Sequence, residues 1–227
     1  MASDSHLPDH MIVCDLDAAF CEAARAHFRA HRGVEVVGGR LEDLTRVDCV
    51  VWPGNNQAVP ASGLDAALSR WLGPGPLDHV RADFQARFRE EGAPVGSAWL
   101  VPLEGSPAVG AVGAGGLPHY VVYAVVFPRV RDGPGLAMRG ALEAIVQHNA
   151  EALRAHDGQS WQRKKASAGP ARHIDRVAIP GLGTFLGSPD VEIVAAAMAE
   201  VWRDVAGAGA PAGGSHAAGA GSSGSRA

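Results

Sequence analysis

The stretch 180–189, the glycine loop, has residue types that could bind phosphate. It follows a short apolar run, 177–179, typical of a buried strand. It ends at Ser188 and Pro189, which predict the start of a helix. The glycines of this loop are Gly181, Gly183 and Gly187, and a residue without a side chain lets a ligand approach the backbone closely. Free backbone N–H groups beside the start of a helix also attract anions. The alternative is a tight turn between strand and helix with no ligand.

The glycine spacing differs from two known phosphate-binding fingerprints. The pattern GxGxxG would require glycine at Leu186, but the third glycine is Gly187. The stretch contains no Gly-Lys followed by Ser or Thr, so it is not a P-loop. A dinucleotide fold also needs a further strand with an acidic residue about 20 residues on. Here a predicted helix and a low-complexity segment follow instead.

A second polar loop, 55–61, which we call the amide loop, follows the apolar run 49–52. It begins with Asn55, Asn56 and Gln57 and leads into a helix predicted to begin near Ser62. Ser62 and Asp65 have the spacing of a capping box, in which the side chains satisfy backbone N–H groups at a helix start. Asn55 follows a glycine and fits a turn that tolerates left-handed geometry.

The elements that must position these loops alternate along the chain. Apolar and β-branched runs predict strands at 11–14, 34–37, 49–52, 97–101, 120–127 (a central strand) and 177–179. Helical spacing predicts five helices with inward stripes, among them Leu16 in the first and Leu153 in the fourth. The alternation predicts an α/β fold, a mostly parallel sheet between two helical layers. In such sheets ligands bind beyond the carboxyl ends of strands, where both loops would grip a diphosphate.

Composition indicates one domain with a single core. The chain has 227 residues, of which 47% are apolar and 19% charged, and a net charge of −4. We expect residues 11–205 to form the domain, with disordered ends at 1–10 and at the Gly, Ala and Ser tail 206–227. The segment 102–118, rich in Gly, Ala and Pro, is predicted to be a loop.

Charge, cysteines and hydropathy exclude several classes of partner. The small negative net charge gives no electrostatic reason to expect binding of nucleic acid. Three cysteines without a CxxC pair indicate reduced thiols. No apolar run is long enough to span a bilayer, and the first residues lack a signal-peptide pattern. We therefore expect a cytoplasmic protein without membrane partners, and the sequence indicates neither a metal site nor a cofactor.

Five segments resemble the macro domain family, in order and with its spacing. They are VDCVVWPGNNQAVPASGLDAAL, VGSAWLVP, YVVYAVVFP, GLAMRGALEAI and VAIPGLGTFLGSP. The bacterial and phage-like branch, with its Pro-x-Asn and Pro-Gly-Leu-Gly-Thr loops, is the most similar. The resemblance covers 11 to about 205 and implies a three-layer α/β/α fold with a mixed, mostly parallel sheet. It also implies ADP-ribose, or an ADP-ribosylated protein, as the partner. Some members only bind ADP-ribose, and others hydrolyse it from proteins or small esters.

The resemblance implies roles for particular residues. Asn55 stands where the family has an asparagine near the distal ribose, and Asp65 matches the aspartate that activates water in hydrolytic members. These two are the candidate catalytic residues. The candidate ligand-binding residues are Asn55, Asn56, Gly63, Leu64, Gly181, Leu182, Gly183, Thr184, Phe185, Leu186 and Gly187. From its residue type, Thr184 could instead cap its own loop.

Departures from the family pattern leave three functions open. At the turn after the second strand Arg40 replaces the family's adenine-binding aspartate, and a guanidinium offers no acceptor. Phe185 stands where the family most often has a glycine. We expect ADP-ribose binding first. The alternatives are an ADP-ribosyl hydrolase in which Asp65 orients water, and a degenerate macro fold used for protein interaction.

Overall fold

The computed structural model describes residues 6–59, 63–88, 91–103, 117–128, 130–157, 172–184 and 190–208. Strands and helices alternate in this part of the chain, as the sequence predicted, with boundaries shifted by a few residues. The elements are β1 (His10–Asp15), α1 (Ala18–Phe28), β2 (Val34–Gly38), β3 (Cys49–Asn55), α2 (Gly63–Leu72), α3 (Pro74–Phe88), β4 (Ala98–Pro102), β5 (Tyr120–Phe127), α4 (Gly133–Asp157), β6 (Arg176–Ile179) and α5 (Val191–Ala208).

The six described strands form one sheet in the order β2-β1-β6-β3-β5-β4. Every neighbouring pair is parallel except β4 with β5, which is antiparallel. The predicted mixed, mostly parallel sheet of an α/β fold is therefore confirmed. The last strand, β6, lies between β1 and β3, so the glycine loop leaves the middle of the sheet.

Helices cover both faces of the sheet, which gives three layers. One apolar cluster joins one face of the strands to α1, α4 and α5; its strand residues include Val13, Val51 and Ile179. The other joins the opposite face to α2 and α3, with residues such as Ile12, Val50 and Trp52. Successive residues of a strand point to opposite faces, so a continuous apolar run such as β3 is buried on both.

β5 is an interior strand between β3 and β4, as its apolar run predicted, and it is buried on both faces. Two expectations about burial were wrong. Leu16 does not belong to the inward stripe of α1, because the helix begins at Ala18, and its side chain is 57% exposed. Leu153, in the last turns of α4, is 39% exposed.

Both ends of the ordered structure extend beyond the predicted limits 11 and 205. The buried Asn149 of α4 donates hydrogen bonds to the carbonyls of His6 (2.9 Å) and Ile174 (3.0 Å) and accepts one from the Ile174 N–H (2.8 Å). The helix α5 continues to Ala208. The rest of both predicted tails, and most of the predicted loop 102–118, lie outside the described residues. Within the described chain, no helix is long and apolar enough to cross a membrane.

Candidate functional site

Three loops meet at the carboxyl end of the sheet because β1, β6 and β3 are parallel neighbours. Neighbouring strands lie about 4.8 Å apart, so the first residues of these loops fall within roughly 10 Å. The amide loop and the glycine loop therefore leave adjacent strands side by side. The third loop begins at Asp15, on the other side of β6.

The amide loop is closed by the side chain of its first residue. Asn55 Oδ1 accepts hydrogen bonds from the N–H groups of Gln57 (3.0 Å) and Val59 (3.2 Å), and its Nδ2 donates to the Val59 carbonyl. This is the turn geometry that asparagine favours. The Asn56 carbonyl accepts from Ala93 N–H at 2.9 Å, which ties the loop to the segment before β4.

A buried tyrosine supports the amide loop from below. Tyr123 of β5 donates its hydroxyl hydrogen bond to the Asn55 carbonyl at 3.1 Å. Its ring lies against Gly54 so closely that a β-carbon there would be 2.0 Å from the ring and hydroxyl atoms. Burial, and then the nearby charge of Asp65, raise the pKa of Tyr123. The phenol therefore stays protonated and acts as a fixed donor.

Asp65 is anchored by an indole that the sequence did not single out. Trp52 Nε1 donates to Asp65 Oδ1 at 2.5 Å, across 13 residues of chain. Asp65 lies in the first turn of α2, and Ser62, its predicted capping partner, is outside the described residues. Trp52 was predicted only as strand core; no local pattern links a strand residue to the next helix, and this pair forms only when α2 packs on the sheet.

The two residues before Asp65 serve the backbone and the core. Gly63 opens α2 with a φ of +61°, a conformation that side-chain-bearing residues rarely adopt. Leu64 is half-buried and packs against the apolar cluster beneath α2 and α3. The contact of Leu64 with the core limits how much of its side chain a ligand could touch.

The described part of the glycine loop is held by its own residues. Thr184 Oγ1 donates to the Gly181 carbonyl at 3.1 Å, the loop-capping role that was one of its two predicted roles. Gly183 has a φ of +85°, and Leu182 is fully buried in the core cluster. Three predicted ligand-binding residues lie outside the described residues: Phe185, Leu186 and Gly187.

Asp15 joins the first loop to the glycine loop, which sequence reasoning missed. Asp17, two residues further on, caps α1 by accepting from the N–H groups of Ala19 (2.9 Å) and Phe20 (3.2 Å). Asp15 accepts from Asp17 N–H at 2.9 Å and from Gly181 N–H at 3.0 Å. Burial raises its pKa, and these N–H donors oppose the rise. Only the adjacency of β1 and β6 could have revealed the contact.

The turn after β2 lies beside Asp15. The Gly39 N–H donates to the Asp15 carbonyl at 2.9 Å, so the substituted turn is fixed to the end of β1. Arg40 Nη1 lies 3.3 Å from Glu42 Oε1 on the surface. The Glu42 carboxylate on this turn is thus engaged by Arg40.

Two described cavities lie away from these loops. One, of about 210 Å³, is at the amino ends of β1 and β2 beside Arg176. The other, of about 500 Å³, runs along the edge strand β4 and helix α4. Within the part of the chain that the structure describes, no group of three His, Cys, Asp or Glu side chains is arranged to hold a metal ion.

Comparisons with known proteins give only remote similarities. No protein family profile and no curated protein matches the chain. Solved structures that resemble it are macrodomains of Oceanobacillus iheyensis, the family that the sequence also resembles. An aspartate-to-alanine variant is 11% identical, with a TM-score of 0.42, over 87% of this chain and 95% of that one. A glycine-to-valine variant with ADPR is 11% identical, with a TM-score of 0.43, and the match covers 87% of this chain and 96% of that one. The macrodomain with ADP is 13% identical, with a TM-score of 0.42, and the match covers 73% of this chain and 89% of that one. At these scores no argument about function rests on the overlaps.

Proposed function

We propose that the chain binds ADP-ribose, or a related nucleotide diphosphate, in the cleft between the amide loop and the glycine loop. One observation carries the proposal: β3 and β6 are parallel neighbours, so the two loops leave the same edge of the sheet together. Ligands of α/β sheets bind at this edge. The resemblance of the sequence to the macro domain family supplies the chemical class of the ligand.

In this proposal the glycine loop lets a phosphate come close to the backbone, because two of its residues have no side chain. Gly181 and Gly183 have no β-carbon, and the positive φ of Gly183 turns the chain in a way that other residues resist. The side chain of Leu182 between them is buried in the core. Gly181 and Gly183 are buried too, and the Gly181 N–H is bonded to Asp15, so the partly exposed Thr184 is the described residue of this loop that a phosphate would reach first.

The amide loop contributes a fixed shape in this proposal. The side chain of Asn55 closes the loop on itself, so Asn55 holds the cleft open as well as lying beside it. Asn56, next along the loop, is partly exposed and carries an amide that can hydrogen-bond ribose hydroxyls.

Titration calorimetry tests the proposal, with ADP-ribose as ligand and AMP and ADP as controls. We expect saturable binding of ADP-ribose that is tighter than binding of either control. Gly183→Ala should weaken it, because the added β-carbon strains a backbone with a φ of +85°. Gly73→Ala is the matched control, since Gly73 has a similar φ of +81° in the connection between α2 and α3. Equal affinities in the two variants would contradict the role of the glycine loop.

The alternative function is hydrolysis of an ADP-ribosyl linkage, and the Trp52–Asp65 contact favours it. The indole fixes a carboxylate at the start of α2, beside the amide loop. In this mechanism Asp65 accepts a proton from water as the water oxygen bonds to the ribose carbon of the linkage. The bond from that carbon to the protein side chain breaks, and the departing side chain takes up a proton from Asp65 or from solvent. Asp65→Asn should abolish turnover and retain ADP-ribose binding. If the wild-type chain binds but never turns over an ADP-ribosylated protein, only the binding function remains.

A third possibility is a macro-like fold that has lost its ligand and binds a protein. The exchange of the family's aspartate for Arg40, now close to Glu42, motivates it. Folded wild-type protein that shows no heat with ADP-ribose up to millimolar concentration would favour this function over the other two.

A further inference from the structure

A carboxylate is fixed against the first residue of the glycine loop. Asp15 Oδ2 accepts from Gly181 N–H at 3.0 Å, and Asp15 Oδ1 accepts from Asp17 N–H at 2.9 Å. A β-carbon on Gly181 would also lie 3.0 Å from Asp15 Oδ2. Since each oxygen is held by a backbone donor, the negative charge cannot turn away from the loop.

This charge is not neutralised by a neighbouring side chain. Among the described residues no Lys, Arg or His forms an ion pair with Asp15. The nearest charged group that acts on it is Asp17, which is also negative, and burial disfavours the charged form further. A negative charge beside an anion-binding loop opposes the ligand, and this opposition grows with the charge that the ligand brings to the loop.

We propose that Asp15 is a specificity-determining residue that makes the cleft prefer phosphodiesters such as ADP-ribose to phosphomonoesters such as ADP. This inference rests on the proposed function. Each phosphate of ADP-ribose carries one charge, whereas a terminal monoester phosphate carries nearly two at neutral pH. At roughly 7 Å and an effective dielectric constant of about 40, one extra charge costs on the order of tenfold in affinity.

The test compares the dissociation constants of ADP-ribose and ADP for the full chain and its Asp15→Asn variant. The wild type should prefer ADP-ribose, and the variant should reduce that preference about tenfold, mainly because ADP binds more tightly. A gain in ADP affinity cannot arise from a damaged fold. The matched control is Asp175→Asn, which makes the same change at the amino end of β6, roughly 20 Å away; its preference should equal that of the wild type.

The outcomes separate this inference from the proposed function. If Asp15→Asn still binds ADP-ribose and keeps the wild-type preference, the role of Asp15 is overturned and the binding function stands. If neither wild type nor variant binds either ligand, the binding function fails and the inference fails with it.

If Asp15→Asn does not fold, the dependence of the wild-type affinities on salt concentration tests the role of Asp15 instead. Salt screens like-charge repulsion, so a rise in ionic strength should increase the affinity for ADP relative to ADP-ribose. A relative loss of ADP affinity would indicate that the more highly charged phosphate is attracted at this position, and would overturn the inference.

Discussion

At the scale of single residues, the candidate site depends on acceptors held by donors from other elements. Trp52 holds Asp65, and the amides of Asp17 and Gly181 hold Asp15. These hydrogen bonds hold two carboxylates in fixed orientations. Removing an acceptor leaves a buried donor unpaired, which costs more than the net value of the bond itself.

The Trp52–Asp65 hydrogen bond can be tested by two substitutions of Asp65, one that removes the acceptor oxygen and one that keeps it. Asp65→Ala leaves the buried indole N–H of Trp52 without this partner, so we expect a loss of about 1–3 kcal/mol in the free energy of unfolding. Asp65→Asn keeps an oxygen that can accept, and its loss should be smaller by about 1 kcal/mol. Urea denaturation measures both. Equal losses would show that the indole contact contributes nothing to stability.

The pH dependence of stability should report the burial of Asp15. Burial raises its folded pKa above the usual 3.8, opposed in part by the N–H donors of Asp17 and Gly181, while the charge of Asp17 adds to the rise. The group therefore favours folding most below its unfolded pKa, and that contribution is lost as pH rises through the folded pKa. As the pH rises through this acid range, the stability of Asp15→Asn should therefore increase relative to that of the wild type. Urea denaturation over an acid pH series measures it; a difference that does not vary with pH would contradict the shift.

At the scale of elements, the amide loop is positioned by the tight packing of β3 against β5. Gly54 at the end of β3 admits the ring of Tyr123, whose hydroxyl then binds the first carbonyl of the amide loop. The loop is thus positioned by a strand that is adjacent in the sheet and 68 residues away in sequence. Loss of this fit should move the loop before it unfolds the domain.

Gly54→Ala should be among the most destabilising single changes in the chain. Its β-carbon would overlap the buried Tyr123 ring at 2.0 Å, so we expect a loss of about 3 kcal/mol and weaker ADP-ribose binding. Gly39→Ala is the control, because no atom lies within 4 Å of the position that a β-carbon would take there; its effect should stay within about 0.5 kcal/mol. Thermal unfolding and calorimetry together measure both effects. A stable Gly54→Ala variant with normal affinity would contradict this account.

At the scale of the whole molecule, one buried amide connects segments that are distant in sequence. Asn149 in α4 binds the carbonyl of His6 and both backbone groups of Ile174, just before β6. It therefore fixes the approach to the central strand and the chain before β1. The glycine loop depends on the same strand at its other end.

Asn149→Ala should destabilise the fold by about 3 kcal/mol, because three backbone hydrogen bonds lose their partner in a buried position. Gln147→Ala changes an exposed amide on the same helix and should cost less than about 1 kcal/mol. Chemical denaturation of both variants measures the difference. Similar losses would show that the Asn149 bonds do not link the segments energetically.

The sequence by itself determined the elements and their class. Apolar runs and helical spacing are local signals, and they predicted every described strand and α-helix and the α/β arrangement. They also located both loops, because glycines and amides between elements are visible along the chain. The residues that only anchor these loops gave no such signal; Trp52 and Tyr123 have the pattern of ordinary core strands.

Only the tertiary structure decided which strand ends meet and what holds them. The sheet order places β6 between β1 and β3, and that order depends on packing between elements far apart in sequence. It brings Asp15 to Gly181, 166 residues apart, and the packing of α2 brings Asp65 to Trp52. Such contacts join residues that are distant in sequence, so no local pattern encodes them.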